Sequence, residues 1–505
     1  MGVLDNAWMG FAVAVTPRNL LYALAGCLIG TLVGVLPVVG PLAGISLLLP
    51  ATFGMDPAAA IILLAAIYYG SQYGGSTTSI LMNIPGESSS VVTCLDGYRM
   101  AQQGRAGPAL GIAAFGSYIA GTLSVAGLML FAPLLARVAV DFGPPEFFAL
   151  MVLGLVLLGY MSSGSMLKTL MMAAVGLILG TVGIDPITGY LRFTYGQTVL
   201  ADGIGFIPVA MGLFGVGEVL YSLGEKVLPA VQRPSLRTML PTRQDWKDSA
   251  GPIGRASVIG FLIGILPGSA HVVSTFVSYA LERRLSKHPE RFGHGAIEGV
   301  AGPEAANNAA TGGAMIPLLS VGIPSGPAPA VMMAALMIHG VRPGPLLMQE
   351  NPRLFWGVIA SMYVGNLMLL ILNLPLVGLF VNLLRIPYPI LYPVVLLFTV
   401  IGSYGISGNI GDVVIMFVFG VIGYLMRHLR FDAAPVVLAL VLGPQLENSF
   451  RQSLLMSGGS FAIFFARPAS AVLLAAGVAL LALACLPPLA RRIRGRLLAG
   501  GADGA

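Results

Sequence analysis

The chain has 505 residues, of which 56% are hydrophobic and only 10% are charged, and its mean hydropathy is +0.87. A water-soluble chain carries about a quarter charged residues, so this composition excludes a soluble globular protein and makes lipid the solvent for most of the surface. The net charge of +6 gives no nucleic-acid signal, because the basic residues gather in short stretches that read as membrane topology.

At the N-terminus, residues 1–19 carry Trp8, Phe11 and Arg18 and are predicted to lie along the membrane interface before the first span. No basic region precedes the first apolar run, so a cleaved signal peptide is not expected. Apolar stretches over 20–36, 110–135, 147–160, 167–182, 253–266, 393–402, 413–426 and 469–489 approach or reach bilayer-spanning length. The whole chain is expected to make about ten to thirteen spans. Sustained apolar runs in place of strict alternation exclude a transmembrane β-barrel. Cys27, Cys94 and Cys485 show no metal or disulfide spacing and read as small lipophilic side chains.

A polar stretch over 225–251 carries Lys226, Arg233, Arg237, Arg243 and Lys247 and is punctuated by Pro229, Pro234 and Pro241. It cannot cross lipid and reads as a cytoplasmic linker. Arg491, Arg492, Arg494 and Arg496 place the tail, 491–505, on the same side. The expected fold class is an all-α polytopic membrane protein. Residues 1–224 and 252–490 form two related repeats of one integral domain, preferentially inverted relative to each other. Opposed broken or re-entrant helices meeting near the midplane are the common carrier solution.

The repeat is visible in the motifs. Gly34-Val35-Leu36-Pro37 leads to Tyr73-Gly74-Gly75-Ser76 and then to Asn83-Ile84-Pro85-Gly86. Gly264-Ile265-Leu266-Pro267 leads to Thr311-Gly312-Gly313-Ala314 and then to Gly322-Ile323-Pro324-Ser325-Gly326. Gly/Pro-interrupted apolar segments at matching positions of two halves point to a binding site built from broken helices. After Pro85, the hydroxyls of Ser88, Ser89 and Ser90 are expected to cap a new helix. After Pro324, Ser325 is the expected cap, with Pro327 tolerated in the first turn. Both restarts would present unpaired N–H groups and the positive end of a helix dipole inside the protein.

A carboxylate needs such donors in a low-dielectric site. The substrate-binding candidates are therefore Gly74, Gly75, Gly86, Gly312, Gly313 and Gly326, where a missing side chain lets a ligand reach the backbone. Ser76, Thr77, Asn83, Ser88, Asn307, Asn308 and Ser325 add side-chain hydrogen bonds. The same residue types also serve close helix packing in membranes. Acids in apolar surroundings are functional candidates by default. Glu87 at a helix start would repel an anionic substrate. Glu87 with Glu304, Asn307 and Asn308 therefore reads as the set for a coupling ion, Na⁺ or H⁺. For Asp96 and Glu298 an interfacial or loop carboxylate is at least as good a reading. His271 is a candidate proton relay, although packing is the commoner role of a lone histidine. No phosphate-cradling loop and no His-Glu-x-x-His pattern is present, so no catalytic residue, cofactor or bound metal is expected. A channel-like permease and a membrane scaffold without its own transport site are the alternatives.

At these motifs the chain resembles the large membrane subunit of tripartite tricarboxylate transporters, the TctA family. The matching stretches are 34–37 with 40–42, 67–76 (IYYGSQYGGS), 83–86, 95–98 (LDGY) with 103–107 (QGRAG), 283–293 (RRLSKHPERFG), 299–308 (GVAGPEAANN) and 340–345 (GVRPGP). Together they cover nearly the whole chain, in one order. The resemblance implies a secondary carrier of the bacterial inner membrane that imports an organic carboxylate on an ion gradient. Its partners would be a small four-span membrane subunit and a periplasmic solute-binding protein. Three positions depart from the pattern: Val38 stands where glycine is common, Ala270-His271 replaces a Gly-Pro-like pair, and Ser325-Gly326-Pro327 rearranges the residues after Ile-Pro.

Overall fold

The structure is a computed structural model and describes residues 3–35, 40–83, 85–160, 165–185, 187–222, 236–268, 270–379 and 388–485. The break at Leu36-Pro37, Val38, the first part of the linker with Lys226 and Arg233, and the arginine-rich tail lie outside the described residues. Among the described residues the architecture is all-α. The only sheet there is a two-residue antiparallel pairing of Gly183–Ile184 with Leu191–Arg192.

Four described helices are long and apolar enough to cross a bilayer: Pro17–Val35, Ala106–Val140, Pro352–Asn373 and Ile410–His428. Shorter apolar helices, among them Pro144–Gly159, Met166–Leu179 and Pro327–Ile338, add to them. This is a polytopic membrane protein. Its innermost layer consists of two less apolar helices, Pro57–Met82 and Glu298–Ser320. Both are buried over almost their whole length, so their polar residues face other helices and not lipid.

Local chemistry sets the ends of these two central helices. Asp56 Oδ1 accepts from the Ala58 and Ala59 N–H groups at 3.0 and 3.2 Å, with Pro57 in the first turn, where its missing N–H costs nothing. The helix ends at Asn83, in the left-handed region at φ 58°. The second central helix ends at Gly322, φ 79°, where the Pro317 carbonyl accepts from the Val321, Gly322 and Ile323 N–H groups. Each stop leads into Ile-Pro, which disfavours further helix.

The two Gly-Gly pairs lie inside unbroken helices. Their surroundings explain why. Each central helix packs on a preceding helix so closely that no side chain fits at several crossing positions. A Cβ at Gly30 or Gly34 would lie 2.6 or 2.0 Å from the Ile67 or Ser71 carbonyl oxygen, and one at Gly74 would lie 2.3 Å from that of Thr31. In the other half, Gly260 and Gly264 meet the Ala306 and Ala310 carbonyl oxygens at 2.2 and 2.4 Å, and Gly313 meets that of Phe261 at 2.3 Å. These are the close backbone approaches that small residues permit between membrane helices.

The paired contacts also fix how the halves correspond. One constant offset relates Ser71 to Ala310, Gly74 to Gly313, Asn83 to Gly322, Gly86 to Ser325 and Glu87 to Gly326. The equivalent of Gly74 is thus Gly313 and not Gly312, a slip of one residue from the motif alignment. Gly312 instead faces the long helix Ala106–Val140, where a Cβ would strike the Ser124 side chain.

The helix whose glycines cross the second central helix begins in a capping box. Thr242 Oγ1 accepts from the Asp245 N–H at 3.2 Å, and Asp245 Oδ2 accepts from the Thr242 N–H at 2.8 Å. That helix, Arg243–Gly264, stops just before Ile265-Leu266-Pro267, and a new one runs over Ala270–Leu285. The break is anchored to the restart after Pro324 by the Gly268 N–H, which donates to the Ser325 carbonyl at 2.7 Å.

Candidate functional site

Polar residues on the two central helices recur at helical spacing. Tyr68, Gln72 and Ser76 lie on one helix, and Glu304, Asn307 and Thr311 on the other, each set three or four residues apart. Residues so spaced share a face. Among the described residues the two faces join in a seam that no lysine or arginine enters through an ion pair.

Glu87 lies in the seam, half-buried, just before the short 3₁₀ turn Ser88–Ser90. Asn307 Nδ2 donates to its Oε1 from the opposite half at 3.0 Å, and Ser89 Oγ donates to the same oxygen at 2.7 Å. With its amide turned to satisfy both of its atoms, Gln72 donates to both oxygens of the Glu87 carboxylate. The absence of a side chain at Gly75 leaves room for Glu87, since a Cβ there would lie 3.0 Å from Glu87 Cγ.

Glu304 is a second acid, fully buried. Its two oxygens accept from the hydroxyls of Ser76 and Thr93, both from the first half. Asn308 supports this helix and not the acid's carboxylate: its Nδ2 donates to Ser117 Oγ at 2.7 Å and to the Glu304 backbone carbonyl at 3.1 Å. A third cluster surrounds His271, whose Nε2 lies 3.1 Å from Tyr68 Oη and 3.3 Å from Thr311 Oγ1.

The structure thus brings together Gly75, Ser76, Glu87, Glu304 and Asn307 and leaves other candidates elsewhere. Asn83 and Ser88 are exposed. Thr77 faces a small cavity shared with Tyr73 and Leu110. Gly74, Gly312 and Gly313 are consumed by helix packing. Gly86 is likewise a packing residue and not a ligand approach, because a Cβ there would lie 2.2 Å from the Gly34 carbonyl oxygen. Ser325 is not the cap. Its hydroxyl turns back to donate to the Ala314 carbonyl at 3.2 Å, and Gly326 occupies the N-cap position. At the first restart Ser90 pairs with Glu87: the Glu87 N–H donates to Ser90 Oγ at 3.3 Å, and Ser90 Oγ donates to the Glu87 carbonyl at 2.9 Å.

Gln72, Tyr68, Ser89 and Thr93 were missing from the candidates drawn from sequence. The spacing of 68, 72 and 76 is the signal that could have found Tyr68 and Gln72; nothing in the sequence pattern singles out Ser89 or Thr93 for the seam. Asp96 is not a loop residue. It is fully buried in the helix Val91–Gln102, and its Oδ1 accepts from the Gly293, Gly295 and Ala296 N–H groups at 2.9, 2.8 and 2.8 Å. Tyr279 Oη donates to Oδ2 at 2.8 Å.

An all-helical membrane bundle whose two central helices share a polar seam of acids, amides and hydroxyls has the construction of a solute carrier. The chain belongs to the tripartite tricarboxylate transporter TctA family, whose profile matches residues 20–438. It is similar to an uncharacterized 52.8 kDa protein in the TAR-I ttuC' 3'region of Agrobacterium vitis, with 49% identity over 487 residues, 96% of this chain and 97% of the relative. An uncharacterized protein in the TAR-II ttuC' 3'region of the same organism is 48% identical over 228 residues, 45% of this chain and 94% of that relative. No solved structure matches the chain.

Proposed function

We propose that this chain is the transport subunit of a tripartite carrier that imports an organic carboxylate, a tricarboxylate or a related anion, across the bacterial inner membrane. It is a carrier and not an enzyme. It works with a small four-span membrane subunit and a periplasmic solute-binding protein, and draws on a gradient of Na⁺ or H⁺. The linker over 225–251 and the tail face the cytoplasm, and the two repeats are inverted relative to each other.

The observation that carries this reading is the Glu87 carboxylate held by donors of both halves, Gln72 and Ser89 from the first and Asn307 from the second. An acid bridging two halves changes its partners when the halves move. Its affinity for a proton or cation therefore differs between conformations, which is the requirement for coupling. Unwound backbone beside Pro85 and Pro324 offers further oxygen ligands for such a cation.

Reconstitution with both partner proteins tests it, with radiolabelled citrate and malate as probes and imposed Na⁺ or pH gradients as driving forces. Gradient-driven accumulation is expected. Glu87→Gln should remove most of the response to the gradient and leave the requirement for the binding protein intact. An unchanged gradient response in the Gln variant removes Glu87 from coupling, and flux indifferent to every gradient favours a channel.

A further inference from the structure

The offset between the halves makes Gly326 the equivalent of Glu87. In the first half this position carries a carboxylate and its donors. In the second it carries nothing beyond backbone: Gly326 is extended at φ −169°, and a Cβ there would meet only the Gly268 carbonyl oxygen, at an ordinary 3.4 Å. Ala314 stands where the first half has Gly75, so one methyl group occupies part of that room.

The donors have equivalents too. By the same offset, Gln72 corresponds to Thr311 and Asn307 to Tyr68. Both hydroxyl side chains are buried, each only 2% exposed, and both converge on His271 Nε2. One ring nitrogen makes one in-plane hydrogen bond, and Thr311 Oγ1 also donates to the Asn307 carbonyl at 3.4 Å; that bond is long, and a carboxylate would offer the hydroxyl a stronger acceptor. The backbone contributes little here. Pro327 and Pro329 have no N–H, and the Ala330 N–H donates to the Gly326 carbonyl, which leaves the Ala328 N–H as the first-turn donor.

We propose that a carboxylate group of the transported substrate sits beside Gly326, held by Tyr68, Thr311 and His271, in the place that Glu87's own carboxylate takes in the other half. This rests on the carboxylate-carrier reading above and adds to it the residues that hold the anion. Glu87 is the built-in example of how the seam receives a carboxylate: an amide or hydroxyl from each central helix, with no full positive charge.

The test uses the full-length protein in nanodiscs, with equilibrium binding of radiolabelled citrate and of malate. Tyr68→Phe and Thr311→Val each delete one hydroxyl donor and should weaken binding about tenfold, the usual effect of losing a hydrogen bond to a charged group. Gly326→Ala should bind within about threefold of wild type, because its methyl group meets only an ordinary contact. Gly326→Glu places a second internal carboxylate in the position and should abolish binding of both acids, with an unchanged elution profile and melting temperature reporting that it is folded. Wild-type affinity in Tyr68→Phe and Thr311→Val, or in folded Gly326→Glu, overturns the inference. If Gly326→Glu does not fold, the two hydroxyl variants decide alone. If those two bind normally while Asn307→Ala weakens binding, the carrier reading stands and only this placement fails. If wild-type protein neither binds nor transports either acid, both fall together.

Discussion

Glu87 and Asn307 face each other across the seam, and each is the other's link to the opposite half. Contacting residues in one hydrogen-bond network couple by about 0.5–3 kcal/mol. Glu87→Gln and Asn307→Ala, singly and together, should therefore be non-additive in thermal unfolding in detergent, and strict additivity would mean that the contact contributes nothing. Around Glu304, Ser76→Ala and Thr93→Val each remove a donor from a buried carboxylate and should each cost about 1–3 kcal/mol, read in the same experiment. The sequence made Glu87 conspicuous, since an acid after Pro-Gly in an apolar chain has few bland explanations. Gln72 and Tyr68 are less conspicuous, inside a run of small and aromatic residues where only their four-residue spacing with Ser76 marks a polar face. Ser325 was misjudged for a related reason. A residue type states what a side chain can bond, and the local backbone decides where it points.

Among the helices, glycines divide into those that are crossed and those that are not. Gly34 and Gly264 abut backbone carbonyls of the central helices, which cannot rotate away as a side chain would. Gly34→Ala and Gly264→Ala must push two helices apart and should each cost about 1–3 kcal/mol, as overpacking does. Gly254 lies on the same helix as Gly264, with nothing within 4 Å of a Cβ. Gly254→Ala should stabilise by about 0.5–1 kcal/mol through the alanine's better helix propensity. Equal melting temperatures for all three variants would contradict the observed packing. Gly26, Gly30 and Gly34 recur at four-residue spacing, a pattern in the sequence that fits such a face. The register between halves was less legible, because a Gly-Gly doublet by itself aligns equally well in two ways, and the crossing contacts choose the one that keeps its spacing to Ile-Pro.

For the molecule as a whole, Asp96 ties the first half to the second. Its carboxylate gathers the turn over 293–296, which leads into the second central helix, and the partners are nearly 200 residues away in the chain. Asp96→Asn exchanges an acceptor for an amide that cannot satisfy all of these N–H groups. Hydrogen exchange at Gly293, Gly295 and Ala296 should then accelerate, with exchange in the outer helices unchanged. Equal protection in the two proteins would show that the turn holds itself. The repeated Leu-Pro and Ile-Pro signals stand in the sequence itself. The Asp96 anchor does not, because its partners are backbone groups, and backbone groups leave no trace in side-chain identity.

The prolines at 327 and 329 bear on how this chain can change over generations. A pocket that grips its anion with main-chain groups offers the same donors whatever residues are encoded, so point mutation can do little to re-aim it. Here two of the first three main-chain donors are gone, and on the proposed placement discrimination falls to the side chains of Tyr68, Thr311 and His271, each alterable by a single codon. The scaffold of crossing glycines can stay fixed while the nutrient it admits drifts.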